Sequence, residues 1–206
     1  MTLIHRQWAW LLLAGLLSPL AVAADLGPQQ LVEQTSNEIL TRLRQDRPAL
    51  EKDPAKINAL LEDIVLPHFD FVRISAWTLG KYWRTASQAQ KLRFIQAFRT
   101  LLVRTYGVAL LNYTDNKISY LPLRDDPASV DVTVRTEVLG KGRYPVAVNY
   151  RLYKLQGEWK VYDVSIDGIS LVANFRASYA GEIKQDGLDA LISRIEQHNA
   201  NPPAPR

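Results

Sequence analysis

The sequence contains no cysteine, and this absence excludes several kinds of protein. Disulfide bonds, thiolate metal ligands and thiol nucleophiles all require that residue. We also expect no lipoprotein anchor, because such an anchor is attached to a cysteine. The fold must therefore depend on an ordinary hydrophobic core, which a chain of about 180 residues can supply as one domain.

The sequence is also poor in the residues that usually carry catalysis. Of its three histidines, only His68 and His198 follow the leader-like N-terminus. Their spacing matches no zinc site, no G-x-S-x-G turn surrounds Ser165 or Ser170, and no glycine-rich phosphate loop is present. We therefore predict no catalytic residue, no metal and no cofactor, with one alternative considered below.

Residues 1–23 have the features of a secretory signal peptide. An apolar run extends from Trp8 to Val22, and Ala21-Val22-Ala23 supplies the small residues expected before a cleavage site. We predict cleavage after Ala23, with Ala24 as a competing site. Because no twin arginine is present, the general secretion route is expected to deliver a periplasmic protein.

Basic and acidic residues are nearly balanced, with 25 Lys and Arg against 21 Asp and Glu. Cleavage removes only Arg6 from this set, so the mature chain keeps an excess of three positive charges. The charges are scattered and do not form the dense stripe that nucleic-acid binding usually needs. We predict no nucleic-acid partner and at most a weak attraction to anionic lipid surfaces.

Helical periodicity begins soon after the predicted cleavage site. Helices are predicted from Pro28, from Asp53 and from Asp70, the last ending at Leu79 and closed by Gly80. Each has apolar residues at helical spacing, so each should bury one face.

The longest predicted helix follows Ser87 and runs to about Tyr113. Ser87 and Gln90 form a capping-box pattern at its start. It is apolar on two faces, which predicts helices on one side and a sheet on the other. A final helical region begins near Leu171, with a break at Gly187.

Between Lys117 and Ile166 the periodicity changes to two, which is typical of strands. Gln156-Gly157 is a plausible tight turn between neighbouring strands. The alternation of apolar residues then shifts by one position between Val161 and Val164. A β-bulge near Tyr162-Asp163 would bring the apolar residues before and after this shift onto one face.

These patterns predict an α+β fold, a curled antiparallel sheet with helices packed on its concave face. We assign residues 24–200 to a single domain and expect residues 201–206, rich in proline, to form a disordered tail. Asp163 and Asp167, four residues apart near the end of the last strand, have two interpretations. They either bind arginines or cap the following turn, or they form a general acid/base pair in a cone-shaped hydratase or isomerase.

Two segments resemble those of a known protein family. Residues 79–90 read LGKYWRTASQAQ and continue as F-x-x-AF-x-x-LL-x-x-TYG. Residues 159–176 carry W-x-VYDV-x-I-x-G-x-SLV-x-NFR. Together with the leader, they strongly resemble the MlaC, or toluene-tolerance, family of periplasmic phospholipid carriers, across almost the whole mature chain.

The resemblance implies a fold enclosing a hydrophobic pocket for acyl tails, with the head group in solvent, and no enzymatic activity. It also implies a shuttle between an outer-membrane lipoprotein–porin complex and an inner-membrane ABC transporter with a substrate-binding ring. Such a shuttle maintains outer-membrane lipid asymmetry and solvent tolerance. The oligomeric state stays open, and a monomer suits a shuttle.

We predict that the pocket is lined by residues of the long helix, of the sheet, of the strand beyond the bulge and of the strand-to-helix junction near its mouth. These are Phe98, Leu102, Tyr106 and Leu110; Val146, Val148 and Tyr150; Val164 and Ile166; and Ile169 and Leu171. A different class of function stays open, an envelope scaffold whose core is filled and binds no ligand.

Overall fold

The computed structural model describes residues 26–53, 55–140 and 144–201. Within these ranges, the chain forms eight α-helices and one five-stranded sheet, in the order helices, strands, helices. The predicted α+β class is confirmed. The predicted signal peptide, residues 141–143 of a predicted turn and residues 202–206 of the predicted tail lie outside the described residues.

The first helices form a layer of their own. They are α1 (Pro28–Gln45), α2 (Arg47–Lys52) and α3 (Lys56–Ile64), followed by a 3-10 turn, Leu66–His68. The sequence predicted α1 and α3 but not the short α2. Apolar residues at helical spacing on α1 and α3 are buried together, because both helices turn their stripes inward.

The next helices are α4 (Phe71–Leu79), α5 (Lys81–Thr85) and α6 (Gln88–Gly107), and local capping signals fix the starts of α4 and α6. Asp70 caps α4 by accepting a 2.9 Å hydrogen bond from the backbone nitrogen of Arg73. Gly80 ends α4 with φ of 55°, a conformation that favours glycine. Ser87 and Gln90 form the predicted capping box, and a 3-10 helix, Val108–Tyr113, continues α6.

The sheet is an antiparallel meander whose spatial order follows the chain. Its strands are β1 (Lys117–Tyr120), β2 (Asp131–Leu139), β3 (Val146–Leu155), β4 (Glu158–Ile166) and β5 (Ile169–Ser170). The predicted Gln156-Gly157 turn joins β3 to β4, with φ of 51° and 96°. A second tight turn, Asp167-Gly168, leads to the short β5, which the sequence did not reveal.

The predicted β-bulge lies in β4. Arg151 pairs with Asp163 and Leu152 pairs with Val161, so Tyr162 is the extra residue. The bulge returns Val164 to the face that carries Val161. It also lets β4 contact two groups of helices, because Val161 packs with α1 while Tyr162 packs with α4 and α7.

The last helices are α7 (Leu171–Asp186) and α8 (Leu188–Ala200), with the predicted break at Gly187. Together with α4 they cover α6, whose other neighbour is α3. The prediction that a sheet covers one side of α6 is therefore wrong, since helices provide its main packing on both sides. A two-sided apolar pattern shows that a helix is buried but does not identify its neighbours.

The segment Gln88–Tyr113 is long and apolar enough to cross a membrane by length and composition alone. Its arginines bond to neighbouring helices, however. Arg93 binds Asp189 and Glu196 of α8, and Arg99 binds Glu62 of α3. The segment is accordingly packed into the helical layer.

Candidate functional site: an apolar sheet face

One face of the sheet is apolar from edge to edge. Cross-strand partners in an antiparallel sheet point to the same face, so the pairing register identifies its members. We call this set the apolar sheet face: Ile118, Tyr120, Val132, Val134, Thr136, Val138, Val146, Val148, Tyr150, Leu152, Val161, Val164, Ile166 and Ile169.

The two ends of the apolar sheet face differ in burial. At one end Val134 and Leu152 are fully buried, and Leu31 and Val32 of α1 pack against them. At the other end Val138, Val146 and Val148 are only half-buried, and Ile169 is 63% exposed. A filled core would bury the centre of a sheet throughout. The face is therefore closed by α1 at one end and open at the other.

The structure brings the predicted sheet residues together. Tyr150 pairs with Val164 and Val148 pairs with Ile166, so the residues before and after the bulge lie side by side. Val146 and Ile169 continue the same face toward its open end. The bulge is responsible, because without the extra residue Val164 and Ile166 would point to the opposite side.

The predicted helix residues are divided between two clusters. Phe98 is 1% exposed and packs against Phe94, Phe175 and Tyr179 in the core between α6, α7 and α8, and Leu102 packs on the same cluster. Leu110 instead packs against the cluster formed by α1, α2 and α3. The structure thus does not unite these three residues with the sheet residues.

Tyr106 and Leu171 are both half-buried. Burial raises the pKa of the Tyr106 phenol. Leu171 is the first residue of α7, immediately after the short β5 that carries Ile169. Its place at this junction is the one that the sequence predicted.

Tyr150 is deep in the protein and yet partly exposed. Desolvation raises the pKa of its phenol to about 12, although the residue as a whole is only half-buried. Tyr150 therefore lies at the transition from the buried end of the apolar sheet face, at Leu152, to its half-buried end, at Val148.

Sequence reasoning missed several members of this region. Ile118 and Tyr120 on β1 and Val138 on β2 share the face, and their alternation continues the period-two pattern that was already visible. Ser36 of α1 lies near the phenols of Tyr120 and Tyr150. No sequence signal indicates Ser36, because its proximity depends on how α1 crosses the sheet.

The opposite face of the sheet is polar and tightly bonded. The guanidinium of Arg73 lies 3.8 Å from the ring centroid of Tyr153 and 4.4 Å from that of Tyr162. The hydroxyl of Tyr162 donates to both carboxylate oxygens of Asp131, at 2.8 and 2.9 Å. Burial and then this carboxylate raise the pKa of Tyr162 to about 12. These contacts fix α4 to the sheet and so hold the apolar sheet face in shape.

The two candidate acid/base residues have structural partners. Asp163 accepts hydrogen bonds from the backbone nitrogen of Val172 at 3.2 Å and from the hydroxyl of Ser170 at 2.7 Å. Asp167 accepts one from the backbone nitrogen of Ala147 at 3.0 Å. The capping interpretation accounts for both carboxylates.

Two surface grooves lie away from the apolar sheet face. One, of about 450 Å³, is bordered by Leu92, Ala97 and Asn199, and the other, of about 280 Å³, by Leu101, Phe175 and His198. Neither includes a predicted lining residue. Within the described ranges, no group of three potential ligands among His, Asp and Glu is placed to hold a metal ion.

An antiparallel sheet with one partly open apolar face, braced by helices and a bonded polar face, is typical of proteins that bind apolar ligands. Comparison with known proteins identifies the particular family. Residues 33–197 match the family described as MlaC protein, and the chain belongs to this family. Its characterised members are phospholipid-binding transport proteins rather than enzymes.

Three relatives are informative. The chain is 24% identical to the intermembrane phospholipid transport system binding protein MlaC of Haemophilus influenzae, over 96% of this chain and 95% of that protein. It is 31% identical to toluene tolerance protein ttg2D of Pseudomonas putida, over 90% and 86%. A phospholipid-binding protein from Ralstonia solanacearum, solved in complex with a phospholipid, matches with a TM-score of 0.79 at 30% identity, over 85% of this chain and 98% of that one.

Proposed function

We propose that this protein binds a phospholipid by its acyl tails against the apolar sheet face and carries it between two membranes. The observation that supports this most is the incomplete burial of that face at its open end, where Val146, Val148 and Ile166 are half-buried. The Ralstonia solanacearum protein of the same fold was solved with a phospholipid, which agrees with this assignment.

The energetics require such a site. Each CH₂ group moved out of water contributes about 0.8 kcal/mol, so two acyl chains with roughly 30 such groups represent about 20 kcal/mol or more. An open surface cannot offset that cost, whereas a sheet face covered by helices can. Because acyl chains have similar surroundings in a bilayer and in the protein, exchange between them is nearly balanced. Directionality must then come from partners.

The cellular setting follows from the same assignment. Residues 1–23 direct export to the periplasm, and residues 24–200 act there as one monomeric lipid-binding domain. The donor and acceptor are an outer-membrane lipoprotein–porin complex and an inner-membrane ABC transporter with a substrate-binding ring. This transport would maintain outer-membrane lipid asymmetry. The names of the H. influenzae and P. putida relatives, which refer to intermembrane phospholipid transport and toluene tolerance, support this setting.

Native mass spectrometry of the purified mature protein, with organic extraction of bound material, tests the function. We expect a discrete added mass that extracts as phospholipid. A bare mass that does not change after incubation with phospholipid vesicles would contradict the proposal and favour the scaffold with a filled core.

A matched pair of substitutions tests the position of the tails. Val148→Asp places a charge on the apolar sheet face, whereas Asn149→Asp places it on the opposite face of the same strand. We expect Val148→Asp to abolish lipid retention while circular dichroism shows an unchanged fold, and Asn149→Asp to retain lipid. Equal lipid retention by both variants would contradict the assigned face.

A further inference from the structure

Hydroxyl groups meet on the apolar sheet face where it passes from closed to half-open. The phenol oxygen of Tyr120 is buried in this region. Ser36 lies near this phenol and near that of Tyr150, and Thr136 is a third neighbour of Tyr150. The Thr136 hydroxyl is already used, since it donates to the carbonyl oxygen of Val148 at 2.7 Å.

This hydroxyl cluster (Ser36, Tyr120, Thr136 and Tyr150) lies where the half-buried part of the apolar sheet face meets its buried part. Beyond Tyr150, Leu152 is fully buried and its partner Val161 is 3% exposed, both under α1. In the other direction, Val148 and Val146 are half-buried. From Val146 to Tyr150 the strand advances about 14 Å at roughly 3.4 Å per residue. An acyl chain entering at the open end therefore meets the hydroxyl cluster after running along the half-buried part of β3.

A hydroxyl cluster is a poor surface for the end of an acyl chain. Each methylene that moves from water into an apolar enclosure strengthens binding about fourfold relative to a chain that leaves it in water. A methyl group pressed against the half-buried Tyr150 instead covers its hydroxyl group and offers it no hydrogen bond, which is unfavourable. The gain from lengthening the chain should stop where the cluster begins.

We propose that Tyr150, with Tyr120, forms the floor of the acyl pocket and limits the length of the acyl chains that the protein accepts. This inference rests on the proposed function, because it presupposes that the tails lie on the apolar sheet face. It adds a selectivity for chain length, set by two tyrosines at the closed end and independent of the head group.

The test is a competition experiment read by native mass spectrometry, using phosphatidylglycerols from dilauroyl to diarachidoyl. For the wild type, the bound lipids should match the supplied mixture up to a limiting chain length, because bilayer and protein surround each methylene alike. Beyond that length, binding should fall by up to about fourfold for each methylene that cannot enter. Tyr150→Ala should move that limit to longer chains, and Tyr150→Trp should move it to shorter ones. Asn149→Ala is the control, because it truncates a side chain on the opposite face of β3 and should leave the limit unchanged.

The outcomes distinguish the proposed chain-length limit from the proposed phospholipid binding. If the variants bind phospholipid with the wild-type limit, Tyr150 and Tyr120 do not form the floor, and the lipid-binding function stands. If the wild type itself binds no member of the series, both are wrong. Should Tyr150→Ala fail to fold, Tyr150→Trp and Tyr120→Ala decide the question, since one fills the same space and the other opens the floor from β1.

Discussion

At the scale of single residues, Asp163 is buried yet fully occupied by its neighbours. It is 6% exposed, and its two oxygens accept from the Val172 backbone and the Ser170 hydroxyl at the start of α7. We predict that Asp163→Asn lowers the free energy of unfolding by about 1–3 kcal/mol, because the amide group leaves a buried donor without an acceptor. Urea denaturation measures this change, with the exposed Asp186→Asn as control. Unchanged stability in Asp163→Asn would contradict this prediction.

His68 makes stability dependent on pH. Burial, and then the nearby charge of Lys160, lower the pKa of its imidazole below the ordinary 6.5. The unfolded chain therefore binds the proton more readily, so stability is full above about pH 6.5 and falls as the pH drops through that value. His68→Gln should weaken this dependence in urea denaturation between about pH 8 and pH 5. A variant with the same pH dependence as the wild type would contradict this role of His68.

At the scale of elements, the β3–β4 turn is strained at one position. Gln156 and Gly157 both have positive φ, at 51° and 96°, as a type I′ turn requires. A side chain in that region costs roughly 1–2 kcal/mol, and asparagine tolerates it best after glycine. We predict that Gln156→Asn raises stability by about 0.5–1 kcal/mol in thermal unfolding. Gly157→Ala should lower stability, because its positive φ is unfavourable for alanine. No atom lies within 4 Å of the added Cβ, so a steric clash does not contribute.

Elements with local signals were predictable from the sequence, and very short ones were not. Asp70 and Gly80 bound α4, and Ser87 starts α6, because capping depends on residues a few positions apart. The six-residue α2 and the five-residue α5 are too short to show a periodic stripe. The two-residue β5 depends on the turn before it and on pairing with β4, which is a tertiary contact.

At the scale of the whole molecule, the common face of the proposed sheet residues was predictable, and the packing partners of the proposed helix residues were not. Period-two alternation assigns Val148 and Tyr150 to one face, and the slip near Tyr162 implies the bulge that adds Val164. Helical periodicity identifies Phe98 as buried but not its partners, which are aromatic residues of α6 and α7. The closing of one end by α1 depends on the path of the whole chain.

Removal of bound lipid should lower the stability of the folded protein, because the open end of the apolar sheet face then loses its ligand. A ligand that binds only the folded state stabilises it by about 2.7 kcal/mol at a hundredfold excess over its Kd. We therefore predict that extracted protein unfolds at a lower temperature, remains cooperative, and recovers its Tm when phospholipid is restored.

Calorimetry of the wild type and of Ile166→Glu, each with and without phospholipid, shows whether the change in Tm depends on the apolar sheet face. Ile166 lies in the half-buried part of the apolar sheet face, opposite Val148 and next to Ile169. A charge there should prevent rebinding, so the Tm of this variant should not respond to added phospholipid. A wild type whose Tm is also unaffected by extraction and restoration would mean that its core is complete without lipid, because a half-open face that gains a ligand must gain stability with it.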